Sequence, residues 1–157
     1  MRRTVVFMAA VMFGVTTSIS GATPVAAGVA EKLRVHSVQY NPGGPDDGTH
    51  ALVNREWLEL VNRGTEPINL RGYVVHDDSG RTYRFGDVVI QANGGRIWLR
   101  SGPGEDTART VYWNSGGFVW DVSGDKAVLR NRKGQTLHTC SWSFVPDRNW
   151  VRCPVNP

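Results

Sequence analysis

The sequence predicts an all-β protein, a sandwich of about seven to nine short antiparallel strands. Three observations support this prediction. Apolar and polar residues alternate over short stretches, which is the period of a strand with one buried face. Glycine, proline, asparagine and aspartate separate these stretches at intervals of about ten residues. No stretch shows the repeat of an amphipathic helix, so two packed antiparallel sheets are the expected architecture.

The clearest strand signal is the stretch Glu56–Asn62. Leu58 and Leu60 lie on one side of its alternation, and the residues between them point to the other side. Ile68–Leu70 repeats the pattern after a break, and a glycine turn then leads into Tyr73–His76, a run of β-branched and aromatic residues. These stretches predict successive strands.

Turn residues predict a hairpin tip at Asp77–Gly80. Its side chains can bond their own backbone, and its glycine is free to adopt positive φ, so the chain is expected to return as Arg81–Phe85. A metal or acid-base site at His76, Asp77 and Asp78 is the alternative interpretation of this tip.

Further strands are predicted around later turns. Val88–Ile90 and Gly95–Arg100 flank an Ala-Asn-Gly turn and are expected to pair with each other. Thr110–Trp113 is a short strand, and Asn131–Gly134 is a tight turn that returns the chain as Gln135–Trp142. The alternation assigns the following residues to the core: Leu58, Leu60, Leu70, Val74, Phe85, Leu99 and Leu129.

Residues 1–27 are interpreted as a signal peptide. An arginine pair precedes an uncharged apolar run from Val5 to Val15, and small residues follow it up to Ala27. Cleavage after Ala27 satisfies the small-residue rule, and cleavage after Ala22 or Ala30 is the alternative. The apolar run is too short to span a bilayer. The mature protein is therefore expected to be secreted, without integral membrane insertion, by either the Sec or the twin-arginine route.

The length of the chain after residues 1–27 favours one domain. Its charge does not favour a dedicated nucleic-acid binder. Two of the 18 basic residues and none of the 14 acidic ones lie in residues 1–27, which leaves 16 basic and 14 acidic residues, a formal net charge of +2. Nucleic-acid binders usually carry a basic stripe, whereas these arginines are scattered among acids. The remaining chain is divided into a domain at residues 33–142 and a C-terminal tail at residues 143–157.

Several of these stretches, in this order, resemble the lamin tail domain. The motif E-W-L-E-L-x-N at Glu56–Asn62 is followed by I-N-L-x-G-Y-x-V-x-D-x-x-G at Ile68–Gly80 and by the aromatic Phe85. Further matching segments are Val38–Gly43, Gly94–Leu99, Gly124–Asn131 and Gly134. The resemblance implies an immunoglobulin-like β-sandwich over roughly residues 33–142, of a family that also occurs in secreted bacterial proteins and carries no known catalytic set.

Cys140 and Cys153 are expected to form a disulfide that closes the tail onto the last predicted strand. An exported protein meets an oxidising compartment, and the two cysteines of the chain lie 13 positions apart. Two buried free thiols are the alternative. Zinc binding is not favoured, because two cysteines and four scattered histidines do not show zinc-ligand spacing.

The loop Asn41–His50 is rich in proline and glycine and carries two adjacent acids, Asp46 and Asp47. Carboxylate oxygens are ligands that calcium prefers, which makes these two residues candidate calcium ligands. A polar surface turn is the alternative. No other metal or cofactor is predicted.

Six tryptophans are more than average for this length. Trp57 and Trp98 lie within alternating strands, whereas Trp113, Trp120 and Trp150 lie nearer to strand ends and loops. The last three form the candidate binding surface, because exposed tryptophan clusters generally mark such surfaces. Packing in the core and at its edges is the alternative, since a tryptophan buries much area in a small domain.

No catalytic constellation is assigned from the sequence. The serines of the glycine-rich turns lack a nucleophile-elbow pattern, and nothing resembles a phosphate-binding loop. The favoured function is a secreted, non-catalytic recognition module that binds a protein or an extracellular polymer such as a cell-wall polymer, with nucleic acid less favoured. The alternative is a small secreted metal-assisted hydrolase centred on the Asn41–His50 loop.

Overall fold

The computed structural model describes residues 32–43 and 49–155 and shows a β-sandwich with one turn of helix. The strands are β1 Leu33–Gln39, β2 Trp57–Asn62, β3 Ile68–Asn69, β4 Val74–His76, β5 Thr82–Arg84, β6 Val89–Ile90, β7 Gly95–Arg100, β8 Thr110–Tyr112, β9 Gly124–Arg130, β10 Thr136–Ser143 and β11 Trp150–Arg152, and the helix α1 is His50–Val53. The predicted all-β sandwich is confirmed. The predictions for residues 1–27 and for Asp46 and Asp47 lie outside the described residues.

Two sheets face each other across the core. The larger has five strands in the order β11-β1-β2-β7-β8, the smaller has four in the order β10-β9-β4-β5, and β3 pairs with β6 in a separate ribbon. The structure differs from the expected seven to nine antiparallel strands in two respects. The described residues form eleven strands, and β8 runs parallel to β7. The parallel pair arises because residues 101–109 carry the chain back along β7 before β8 begins.

The predicted core is confirmed at all positions but one. The confirmed residues, buried between the sheets, are Leu58, Leu60, Leu70, Phe85, Leu99 and Leu129. Val74 is only half-buried, and Val75 takes the buried place. Val74 pairs with Arg84 and Arg130 on the outer face, whereas Val75 pairs with the buried Leu129. In a run of consecutive apolar residues, alternation does not identify the inward side.

The predicted pairing of Val88–Ile90 with Gly95–Arg100 is wrong. Strand β6 pairs with β3, and β7 pairs with β2. Asn62, buried at the end of β2, connects the two units. Its side-chain amide donates to the Ile90 carbonyl oxygen at 3.4 Å, and its backbone carbonyl accepts the Gly94 N–H at 2.7 Å. Strand β7 therefore starts beside the end of β2 and runs back along it.

The C-terminal tail is part of the larger sheet. Strand β11 pairs with β1, with Val151 opposite Val38. The predicted disulfide between Cys140 and Cys153 is confirmed, with Cα atoms 5.2 Å apart. It joins β10 of the smaller sheet to the residue that follows β11. The tail is therefore held by backbone pairing and by a covalent bond between the two sheets.

A single helical turn, α1, precedes β2 and corrects the expectation of a chain without helix. Leu52 and Val53 of this turn are buried, and the Leu52 N–H donates to the Thr49 hydroxyl at 3.3 Å, as in a helix N-cap. In the part of the chain that the structure describes, no helix is long and apolar enough to cross a membrane.

Candidate binding surface

Aromatic rings form a continuous series at one end of the core. We call this series the core aromatic chain, and its members are, in order, Tyr40, Trp142, Trp120, Trp113 and Tyr83. Successive ring centroids are 5.2, 5.9, 5.8 and 5.7 Å apart, which are distances of packed aromatic pairs. Trp120, in the middle, is 3% exposed. The rings of this chain therefore pack against one another and against the hydrophobic core.

The loop that carries Trp120 is held from inside by Glu56. The Glu56 side chain is fully buried, and its carboxylate accepts the Val119 N–H at 2.7 Å and the Trp120 N–H at 3.1 Å. Burial raises the pKa of Glu56 to about 7, although these hydrogen bonds act in the opposite direction. Arg81 donates to the carbonyl oxygens of Phe118, at 2.8 Å, and Val119. The backbone around Trp120 is thus held through both its N–H and its C=O groups.

At the tip that contains His76, Asp77 and Asp78, the Asp77 carboxylate is hydrogen-bonded to other residues of the same tip. The Asp77 carboxylate accepts the Ser79 hydroxyl at 2.7 Å, the Arg81 backbone N–H at 2.7 Å and the Arg81 Nε at 2.6 Å. Burial alone would raise the pKa of Asp77, but these hydrogen bonds outweigh burial and hold its pKa below the ordinary value. The geometry agrees with a structural turn rather than with a metal or acid-base site.

The outer face of the larger sheet carries aromatic side chains in an ordered pattern. Cross-strand pairing defines one row across all five strands, which we call the aromatic row: Trp150, Gln39, Trp57, Arg100 and Tyr112. The next row consists of Arg152, Ser37, Glu59, Trp98 and Thr110. Directly paired residues point to the same side of a sheet. The larger sheet therefore presents tryptophan, tyrosine and arginine side chains together on one surface.

The two ends of the aromatic row differ in exposure. Trp150 is 49% exposed, and Arg152, on the same strand, is also exposed. Trp57, at the centre, is half-buried. At the other end Tyr112 lies under the loop after β7, because a Cβ atom on Gly104 would come within 2.4 Å of the Tyr112 ring. The row is therefore most accessible on the side of β11.

The outer face of the larger sheet is positively charged. The arginines at its paired positions are Arg34, Arg96, Arg100 and Arg152. The acid at these positions, Glu59, is buried, and its carboxylate accepts from Arg96 at 2.5 Å and from the Ser37 hydroxyl at 2.7 Å. Arg96 compensates Glu59, and Arg34 is buried with 5% exposure. Arg100 and Arg152 are therefore the arginines that give the paired positions of this face a net positive charge at its surface.

The cluster around Glu59 is not arranged for nucleophilic catalysis. The His36 Nε2 atom lies 3.9 Å from the Glu59 carboxylate, and burial lowers the pKa of His36. The Ser37 hydroxyl donates to Glu59 rather than to His36. A serine nucleophile needs a base aligned with its hydroxyl, and the carboxylate that holds this hydroxyl is already paired with Arg96.

One family model, described as Lamin Tail Domain, matches residues 27–144 of the chain. The chain belongs to the lamin tail domain family. The resemblance inferred from Glu56–Asn62 and Ile68–Gly80 is therefore confirmed. None of the curated proteins matches the chain. Trp150 and Arg152 lie beyond the residues of the lamin tail domain match, so the exposed end of the aromatic row is outside it.

The three tryptophans that the sequence predicted as the binding surface of this lamin tail domain protein lie in two different places in the structure. Trp113 and Trp120 belong to the core aromatic chain, because their rings pack on each other and against the hydrophobic core. Trp150 alone of the three lies in the aromatic row. Sequence analysis missed Trp57 and Arg100 as its neighbours. A signal was present, since the alternation of β2 and β7 places both residues on the outward side.

The calcium and hydrolase predictions centred on the loop Asn41–His50 remain predictions. Their two acids, Asp46 and Asp47, lie outside the described residues. Within residues 32–43 and 49–155, no group of three or more His, Cys, Asp or Glu side chains is placed to hold a metal ion.

Proposed function

We propose that this lamin tail domain protein is an exported, non-catalytic module that binds an extracellular polymer or protein through the outer face of its larger sheet. The aromatic row is the observation that carries the proposal. Tryptophan, tyrosine and arginine are enriched where proteins bind partners, and side chains on strands are held more precisely than side chains on loops. Such a face recognises a ligand without a reactive group.

Two features support export. Residues 1–27 contain the charged, apolar and small-residue segments of a signal peptide. Cys140 and Cys153 form a disulfide, and disulfides persist in oxidising compartments, including the outside of the cell. N-terminal sequencing of protein recovered from the medium is expected to begin at Gly28. Recovery of the uncleaved chain from inside the cells would contradict export.

The binding role is tested by immobilising the exported chain and exposing it to medium and cell-envelope material from the producing cells. Wild type is compared with the double variant Trp150→Ala/Arg152→Glu. The matched control is Phe144→Ala/Arg132→Glu, which changes an exposed aromatic residue and an exposed arginine at opposite ends of the smaller sheet. We expect the first variant to lose the captured component and the control to keep it. Equal capture by all three proteins would contradict the proposed surface.

The absence of catalysis is tested by nuclease, esterase and glycosidase assays with and without calcium. We expect no turnover by the wild-type protein. Calcium-dependent turnover that disappears in the variant Asp46→Ala/Asp47→Ala would replace the binding module by the hydrolase centred on the Asn41–His50 loop. Calcium calorimetry on the same two proteins separates a structural ion from a catalytic one, because an ion that only orders the loop gives heat without turnover.

A further inference from the structure

We propose that the aromatic row binds an acidic polysaccharide, a linear polymer of pyranose rings that carries carboxylate groups at intervals. This inference rests on the binding role proposed above, and it adds the class of ligand and the residues that recognise it. Trp150 and Trp57 provide flat aromatic surfaces for the sugar rings. Arg152 and Arg100 provide the cations for the carboxylates.

The aromatic side chains of the row are evenly spaced. Trp150, Trp57 and Tyr112 lie on β11, β2 and β8, so that one strand separates each from the next. Neighbouring strands are about 4.8 Å apart, which places successive aromatic positions about 9.6 Å apart. That distance is comparable to the length of two linked pyranose rings. Because the loop after β7 covers Tyr112, a polymer lying across the strands would meet two accessible aromatic side chains, Trp150 and Trp57, two sugars apart.

The chemistry of the rings suits a sugar. A pyranose presents C–H groups on its flat faces, and an aromatic ring offers a partially negative face to such groups. Trp150 has the largest free surface of the row, and no ring of the described residues stacks on it. The core aromatic chain lacks this property, because the ring of Trp120 is covered by its neighbours.

One arginine lies beside each accessible tryptophan, Arg100 within the aromatic row and Arg152 in the next row. Arg100 follows Trp57 in the row, and Arg152 lies two residues from Trp150 on the same strand. Within the described residues, the Arg152 side chain has no hydrogen bond or ion pair, and the Arg100 guanidinium donates to the Asn54 carbonyl oxygen. Guanidinium groups bind carboxylates through paired, charge-assisted hydrogen bonds. A neutral polysaccharide would leave both charges without a counterpart.

The density of charge favours a polysaccharide over a nucleic acid. The row crosses five strands, a width of about 19 Å, and the cations available to a ligand there are Arg100, in the row, and Arg152, in the next row. DNA carries one negative charge per about 1.7 Å as a duplex and per about 3.4 Å along each strand, so a nucleic acid would present several phosphates for each arginine. A polymer with one carboxylate for every one or two sugars presents about as many charges as the row can pair.

Isothermal titration calorimetry of the exported chain with size-matched oligomers tests the inference. The acidic probes are fragments of hyaluronan, alginate and polygalacturonate, the neutral probe is a chitin oligosaccharide, and the nucleic-acid probe is a single-stranded oligonucleotide. We expect at least one acidic probe to bind. The neutral probe should bind about tenfold more weakly or worse, because it lacks the charge-assisted contacts. The oligonucleotide should also bind about tenfold more weakly or worse, because most of its phosphates would have no arginine to pair with. Binding of no acidic probe, or tighter binding of the oligonucleotide, would overturn the inference.

Variants locate the binding on the row. Trp150→Ala and Arg152→Glu should each weaken the acidic probe about tenfold or more, whereas Phe144→Ala and Arg132→Glu should change its affinity by about twofold or less. Near-ultraviolet circular dichroism verifies that each variant keeps its packed core. Equal affinity in all variants would place the binding elsewhere and overturn the inference.

The outcome also separates this inference from the proposed function. If no acidic probe binds but the double variant Trp150→Ala/Arg152→Glu loses another captured component, the ligand class is wrong and the binding face is retained. If neither titration nor capture depends on the row, both proposals fail.

Discussion

The core aromatic chain and the aromatic row use the same residue types for opposite purposes. In the core aromatic chain each ring contacts the next, so its faces are occupied by other rings. In the aromatic row a residue without an aromatic ring separates each aromatic residue from the next. Trp120 is accordingly buried, and Trp150 is half exposed. The comparison teaches that the neighbours in space, rather than the residue type, decide whether a tryptophan is covered by other rings or left accessible on the surface.

The outer face of the smaller sheet sharpens this contrast. There Val128 pairs with His76 and Thr139, and Val74 pairs with Arg84 and Arg130. Within the described residues, no paired position on that face holds tryptophan, tyrosine or phenylalanine. The outer faces of the two sheets therefore differ in their aromatic side chains. The proposed binding role therefore concerns only the outer face of the larger sheet.

Replacing Trp120 with alanine should cause the largest loss of stability. The ring is almost completely buried between Trp113 and Trp142, and such truncations cost about 3–5 kcal/mol because the surrounding core collapses only partly. Urea denaturation of the wild type and of Trp120→Ala measures the loss. A loss below about 1 kcal/mol, which is ordinary for partly exposed sites, would show that the core aromatic chain does not hold this end of the core.

Glu56 should make the free energy of unfolding depend on pH, because burial raises the pKa of its carboxyl group in the folded state. Its pKa of about 7 in the folded state lies above the ordinary value of 4.5, so the folded protein binds this proton more tightly than the unfolded chain does. Its contribution is therefore complete below about pH 4.5 and is lost as the pH rises through about 7. A shift of about 2.5 units corresponds to about 3 kcal/mol.

The comparison with Glu56→Gln isolates this effect. His36 and His138 have pKa values lowered by burial, and their contribution grows as the pH rises towards 6.5, which partly masks Glu56 in the wild type. Subtracting the unfolding free energy of Glu56→Gln from that of the wild type removes the histidine contribution. The difference should fall by about 3 kcal/mol between pH 4.5 and pH 8. A difference that is independent of pH would mean that Glu56 does not titrate in this range.

Removing the disulfide should weaken ligand binding by the aromatic row while leaving the core aromatic chain packed. Cys140→Ala/Cys153→Ala opens a loop of about 14 residues, which costs about 3 kcal/mol in the chain-entropy model. The bond anchors β11, which carries Trp150. It also lies on the strand of Trp142, but Trp120, Trp113 and Tyr83 of the core aromatic chain lie outside the loop that the bond closes. We expect weaker ligand capture with an unchanged near-ultraviolet dichroism band. Loss of that band in the folded double variant would show that the disulfide also supports the core aromatic chain.

The period of single strands was sufficient to predict the sandwich and most of its core. Leu58 and Leu99 are placed correctly because successive side chains of a strand point to opposite faces. The same logic failed at Val74, where a continuous apolar run offers no polar position to mark the outside. It also failed for Val88–Ile90, because local spacing shows that a strand ends at a turn and not which distant edge the next strand meets.

The aromatic row could not be predicted from any one stretch, because it depends on the register between strands that are far apart in the chain. Alternation places Trp57 on an outward side, but its neighbour Gln39 belongs to the first strand and Trp150 to the last. A shift of one residue in either pairing would turn these side chains to the other face. Register is set by the buried pairs, such as Val38 with Leu58, and these become known only with the fold.

Replacing Trp150 with alanine should have the smallest effect on stability. It tests whether the ring of Trp150 serves binding or packing. The Trp150 ring is about half exposed and contacts no other ring of the described residues, and surface substitutions of this kind change the unfolding free energy by about 0.5 kcal/mol or less. Urea denaturation measures this change in Trp150→Ala and in the control Phe144→Ala, which removes the other large exposed ring near the C-terminus.

If Trp150→Ala unfolds like the wild type but loses its ligand, while Phe144→Ala keeps both its stability and its ligand, the Trp150 ring serves binding alone. A loss of stability as large as that of Trp120→Ala would instead mean that Trp150 packs the tail onto the sheet, and the division between a packed aromatic chain and a binding aromatic row would not hold.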